Sequence, residues 1–255
     1  MMDDKVGNSS KEGRTGDAYI DVGSHPEAVV GVSLCRESNK VRRGFIRKVL
    51  AILFCQLCVT MAIAVLFYVV PVLNNFCAKH SWFFWVSFLA AFAVLLVLVC
   101  KPRLAQTYPR NYCALCSFTV LEAVFIGVVC AQNNTVAVLY SISIVAIISI
   151  ALIAFATQTK IDFTSKGSYL YAALWVFIFG GAVLYIEDYS MNNFFSVVGG
   201  FIFSMFIVYD AQLILGGNHR LQFGVDDYIF AALNLYLDII NLFLITLTGA
   251  SNFRR

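Results

Sequence analysis

Lysine and arginine are missing from the three apolar runs of this 255-residue chain that hold the carboxylates Glu122, Asp210 and Asp238. A carboxylate at bilayer depth costs roughly 2.5–3.5 kcal/mol even on the gentler insertion scale. With no embedded cation beside it, each acid must be protonated, hydrogen-bonded, or in contact with water or a passing cation. All three states point to protons or metal cations as what the protein handles. Charge is scarce overall, at 13% of residues, against about 25% in a soluble domain. With 60% hydrophobic residues and a mean hydropathy of +0.79, this excludes an ordinary soluble globular protein. Histidine is also rare: His25, His80 and His219 all lie outside the apolar runs and read as solvated, with His219 near enough to Asp210 in sequence to feel cytosolic pH. No apolar run lies near Met1, so no cleavable signal peptide is expected.

The apolar stretches fall near 46–70, 81–100, 111–131, 136–156, 169–186 and 194–215, each long enough to cross roughly 30 Å of hydrocarbon. A further stretch near 228–247 is interrupted by Asn234, Asp238 and Asn241. The expected fold is therefore an all-α membrane protein, a bundle of seven transmembrane helices in a domain spanning 41–255. Residues 1–40 are polar and poor in aromatics, and read as a disordered tail. Arg36, Lys40, Arg42, Arg43, Arg47 and Lys48 crowd the start of the first span, and Lys101, Arg103, Arg110, Lys160, Lys166 and Arg220 fall on the same side. The opposite loops hold only Lys79, with Glu187 and Asp188. The positive-inside rule puts the N-terminus in the cytosol. Arg254 and Arg255 run against a clean seven-span reading, and a re-entrant last segment would remove that conflict.

Cys55 and Cys58, like Cys113 and Cys116, have C-x-x-C spacing but lie within expected spans, where no loop can wrap a tetrahedral metal. They read as small buried hydrophobes. A disulfide between Cys77 and Cys130 is the one pairing the topology allows. Neither glycosylation sequon, Asn8-Ser9-Ser10 nor Asn133-Asn134-Thr135, is expected to be used.

Projected at about 100° per residue, the last segment places Asp227, Ala231, Asn234, Asp238, Asn241 and Thr248 on one stripe. Leu233, Leu237, Ile240 and Leu244 occupy the opposite face, which is expected to meet lipid. Asp210 closes the sixth span, which also carries Gly199-Gly200, a place for close helix packing. The short loop from Gly216 to Asp226 makes the last two spans antiparallel neighbours, with both aspartates in their cytosolic halves. Two acids about 5 Å apart repel by roughly 3 kcal/mol at an effective dielectric near 20. They act as a unit that shares a proton in one state and attracts a cation when ionised. Glu122, with Thr119 on its face, reads equally as a protonated group bonded to a facing helix or as a pore-lining acid.

Several strings resemble the Bax-inhibitor-motif family, also called Lifeguard. They are Val208-Tyr209-Asp210-Ala211-Gln212 and, above all, the segment from Tyr228 to Phe243 containing Tyr236-Leu237-Asp238-Ile239-Ile240-Asn241. Supporting matches are Arg47-Lys48-Val49, Leu121-Glu122-Ala123 and the run from Thr157 to Phe163. The resemblance covers about residues 41–247 and implies a seven-helix fold around a di-aspartyl, pH-sensing calcium leak in intracellular membranes that suppresses cell death. On that reading Asp210 and Asp238 are the pH-sensing, transiently calcium-binding pair, with Asn234, Asn241 and Glu122 in support. Asp227 collects cations at the mouth, and Lys101 or Arg103 is the candidate latch cation. Calcium is then a permeant ion rather than a cofactor. The expected partners are the lipid bilayer, Ca2+ and protons, and apoptosis-regulating or receptor membrane proteins; no nucleic acid is expected. The endoplasmic reticulum or Golgi membrane is the expected location, with the plasma membrane as the alternative.

Two other functions compete. A non-conducting interaction protein would restrain death-signalling partners directly. An intramembrane aspartyl protease would use the same two acids, and Tyr209-Asp210 matches one of its motifs. Asp238, however, follows Leu235-Tyr236-Leu237 rather than a Gly-x-Gly pattern, and the chain has no Pro-Ala-Leu segment. The chain is read as a non-enzyme.

Overall fold

The computed structural model describes residues 39–101, 106–184, 189–216 and 223–252. The expected tail, apart from its last two residues, lies outside them, as do His25, Arg103, Glu187, Asp188, His219, Arg220 and the terminal arginines. All the long elements are helices: α1 Asn39–Val69, α2 Pro71–Lys79, α3 Trp82–Cys100, α4 Arg110–Ala131, α5 Thr135–Gln158, α6 Gly167–Leu184, α7 Tyr189–Leu215 and α8 Tyr228–Asn252. The seven expected spans correspond to α1 and α3–α8. The short α2 was not foreseen.

Six helices among the described residues, α1, α3, α4, α5, α7 and α8, are long and apolar enough to cross a membrane. The 18-residue α6 is not one of these six. The last helix is continuous, and its 24-residue candidate span extends about 36 Å at 1.5 Å per residue. The outer faces carry large apolar side chains such as Phe54, Ile147, Val176 and Val197, each at least two-thirds exposed. Water would not tolerate so much exposed hydrocarbon, and a bilayer does. α1 is 31 residues long, about 46 Å, so its basic first turns extend beyond the hydrocarbon, where Lys and Arg reach the headgroups.

The last helix sits at the centre, packed against α1, α4, α5 and α7, while α3 lies against α4 and α6 against α7. Its aliphatic face does not meet lipid as expected: Leu233 and Ile240 are buried, along with Leu235, Tyr236 and Leu242. Hydrocarbon and helix core are equally apolar, so leucine alone cannot tell one from the other. The α1 and α5 helices leave a groove of about 410 Å3 over α8, lined by Leu53, Phe54, Ile142 and Ile240 with Thr60 among them.

Local signals fix the ends. Asn134 caps α5 by accepting from the Val136 N–H at 3.0 Å, and Gly216 ends α7 with a positive φ of 59°. Asn133, the acceptor residue of the second sequon, accepts from Ser251 Oγ at 2.6 Å and donates to the Val129 carbonyl at 2.8 Å. This ties the end of α8 to the α4–α5 turn.

Only one of the paired glycines mediates packing. A Cβ at Gly199 would sit 2.5 Å from Phe177 and 2.6 Å from Ile245, whereas one at Gly200 meets nothing within 4 Å. Gly199→Val is expected to destabilise the protein by about 1–3 kcal/mol through overpacking of α7 against α6 and α8. Gly200→Ala should be neutral or stabilising, by up to about 1 kcal/mol. Thermal melting in detergent checks both.

Cys77 and Cys130 are buried and free, so no disulfide joins them. Cys77 packs from α2 against Phe67 and Val128. Burial pushes its thiol up from the ordinary value. Maleimide should therefore label Cys77 slowly in folded protein near neutral pH and rapidly after unfolding in detergent.

Candidate functional site

Asp210 on α7 and Asp238 on α8 are 4% and 7% exposed, and their carboxyl groups lie close enough to interact with each other. An ionised carboxylate only accepts hydrogen bonds, so a carboxyl–carboxyl bond requires a proton on one partner. Asp238 keeps one oxygen, Oδ2, buried without a hydrogen-bond partner. Tyr171 on α6 lies close enough to both acids to feel their charge, and its ring packs on Phe206 and Tyr209 at 5.3 and 6.4 Å. Asp238 is about 15 Å along α8 from Tyr228, on the half nearer the basic end of the bundle.

The antiparallel α7–α8 contact brings the pair together, and Gln212 holds the end of α7. It is fully buried; its Oε1 accepts from the Phe163 N–H at 2.8 Å and its Nε2 donates to the Ile161 carbonyl at 2.9 Å. Asp162 accepts from both the N–H and the hydroxyl of Thr164, at 3.0 and 2.6 Å, shaping the turn before α6. Gln212 is a site-supporting residue that sequence reasoning missed. The signal was present, because Gln212 and the run from Thr157 to Phe163 lie in two separate strings of the same resemblance.

The remaining expected residues scatter. Asn234 and Asn241 are half-buried on α8, and the Asn241 amide donates to the Leu237 carbonyl at 2.9 Å. Asp227 stands at the mouth of α8, accepting from the Gly224 N–H at 3.0 Å and from Gln106 Nε2 at 2.9 Å. Nearby, Lys48 of α1 lies over the Tyr228 ring, 3.1 Å from its centroid, and Asn111 donates to the Tyr228 hydroxyl at 3.0 Å. Lys101 is exposed at the end of α3, whose main packing is on α4 rather than on the α7–α8 pair, so α3 does not carry it to the aspartates. Lys48 is the described cation packed on the start of α8. Glu122 does not join the pair either. It is half-buried on α4, one turn from Thr119 and near Tyr236, the residues that bond Gln56 and Thr60 of α1.

Comparison with known proteins agrees with this architecture. The family described as Inhibitor of apoptosis-promoting Bax1 matches residues 42–253. Bax inhibitor 1 of Schizosaccharomyces pombe is 34% identical over 215 residues, covering 84% of this chain and 77% of its own length. Protein lifeguard 3 of Homo sapiens is 32% identical over 212 residues, covering 81% of this chain and 68% of its own. The mouse lifeguard 3 is 29% identical over the same length. With this coverage, and with its helical bundle of membrane-spanning length, the chain is a multi-pass membrane protein that belongs to the Bax-inhibitor-motif, or Lifeguard, family.

Proposed function

We propose that the chain is a pH-sensitive cation leak of intracellular membranes, with Ca2+ as the permeant ion and Asp210–Asp238 as its switch. The observation that carries this reading is a buried pair of neighbouring carboxyls with an unpartnered oxygen, Asp238 Oδ2, and no lysine or arginine on α7 or α8. While the proton is shared, the pair bears one negative charge. Its loss leaves two charges facing each other, which repel by roughly 3 kcal/mol at about 5 Å. A divalent cation relieves that repulsion and matches the oxygen-only donor set. Protons and Ca2+ thus compete for the same place. Asp227 at the mouth concentrates cations, and Asn234 and Asn241 line the polar stripe leading inward. α6 crosses as a further span, giving seven and leaving the C-terminus opposite a cytosolic N-terminus. Lowering stored calcium through this leak blunts calcium-driven death signals, in keeping with the names Bax inhibitor 1 and Inhibitor of apoptosis-promoting Bax1.

The test is Ca2+ entry into liposomes holding purified protein near neutral pH. Asp210→Asn or Asp238→Asn should change the flux several-fold in protein that still melts cooperatively, and unchanged flux in both would remove the mechanism. The same names also favour a second reading, a partner-binding death suppressor. It requires protection of cells to survive loss of both aspartates.

A further inference from the structure

A second polar cluster is buried where α1, α4 and α8 meet, on residues that the leak mechanism does not use. Thr119 Oγ1 donates to the Leu115 carbonyl at 2.8 Å, so it can only accept from Gln56, whose Nε2 lies 3.1 Å away. This fixes the amide orientation and leaves Gln56 Oε1, on a side chain 4% exposed, buried without a partner. Thr60 donates its own proton to the Gln56 backbone carbonyl at 2.8 Å, so the Tyr236 hydroxyl must donate to Thr60 across another 2.8 Å. The hydroxyl protons of Thr60, Thr119 and Tyr236 are thus all spent. Beside the second Nε2 proton of Gln56, what remains is acceptor capacity: Gln56 Oε1, the lone pairs of Tyr236 Oη and the carboxyl of Glu122, one turn beyond Thr119 and near Tyr236. A cluster rich in acceptors and short of donors favours a positive guest.

We propose that this cluster is a binding site for a single sodium ion, held by Glu122, Gln56 Oε1 and the Tyr236 and Thr60 oxygens. All these ligands are hard oxygens, as an alkali cation requires. One carboxylate balances one positive charge, and a divalent ion would be left with uncompensated charge in an apolar surround. The site is separate from the aspartate pair, because Tyr236 and Asp238 project from α8 about 200° apart. Sodium there would pin α1 and α4 to the central helix.

The experiment uses the full-length chain in nanodiscs at mildly alkaline pH, melted in sodium, potassium or N-methylglucamine chloride at equal ionic strength. Sodium should raise the melting temperature by about 2–5 °C over N-methylglucamine, as expected for a ligand that binds only the folded state. Radioactive sodium should bind at one ion per chain. Both effects should vanish in Glu122→Gln and weaken in Gln56→Leu, which removes a neutral ligand and guards against misfolding of the first variant. Sodium binding should persist in Asp238→Asn, which separates failure here from failure of the leak. Equal melting in all three salts, or sodium binding undiminished by Glu122→Gln, overturns the proposal and leaves a proton on Glu122 as the cluster's positive guest. Loss of binding in Asp238→Asn also overturns it, assigning the ion to the aspartates.

Discussion

Gln212→Leu is expected to destabilise the folded protein by roughly 1–3 kcal/mol, because it takes the side-chain partner from two part-buried backbone groups at once. The glutamine side chain is the partner of both the Phe163 N–H and the Ile161 carbonyl. Leucine matches its volume but offers neither a donor nor an acceptor. The loss should spread beyond the loop. Gln212 lies two residues from Asp210, and the loop it clamps leads into α6, which carries Tyr171 beside the pair. Gln212→Glu, which keeps the acceptor for Phe163 and loses the donor for Ile161, should fall between wild type and leucine. Thermal melting in detergent ranks the three. Equal melting of wild type and Gln212→Leu would mean that the clamp contributes nothing.

Asp238→Asn should alter calcium flux as strongly as Asp210→Asn, and the double variant should be no worse than either alone. Asparagine has nearly the size of aspartate, and its amide can donate to the remaining carboxylate, so packing and one hydrogen bond survive. What disappears is the shared proton and the capacity for two negative charges. A function that resides in the pair is lost with either member, so the effects are strongly non-additive. Additive effects would mean that each acid acts independently. The measurement is initial Ca2+ uptake by liposomes, with protein content and melting matched across variants.

The spans were legible because an uninterrupted apolar run of about 20 residues matches the thickness of a bilayer and little else. That Asp210 and Asp238 lie on neighbouring helices was legible because the short stretch between α7 and α8 makes the two helices antiparallel neighbours. The central place of α8 was not. In a membrane, Leu233 facing a neighbouring helix and Leu233 facing lipid satisfy the same hydropathy, and only the polar stripe carries direction. The Glu122 cluster was hidden for another reason. Gln56, Thr119 and Tyr236 stand on three helices, and the Thr60–Tyr236 hydrogen bond closes a sequence separation of 176 residues. Each is a lone polar residue that reads locally as packing. Gly199 and Gly200 were indistinguishable in sequence, and only the side chains opposite them, Phe177 and Ile245, assign the close approach to Gly199. The surroundings of Lys101 were not legible, because chain order does not set helix neighbours: α3 packs outside α4, while Lys48 of α1 reaches the start of α8.

The most direct test of the account is the pH profile of calcium flux, measured in liposomes from about pH 6 to about pH 8, the range in which a proton-sharing switch must act in the cell. The account predicts a flux that varies with pH in the wild type and becomes flat in both Asp210→Asn and Asp238→Asn. A wild-type flux independent of pH, or a profile retained in both variants, would contradict it.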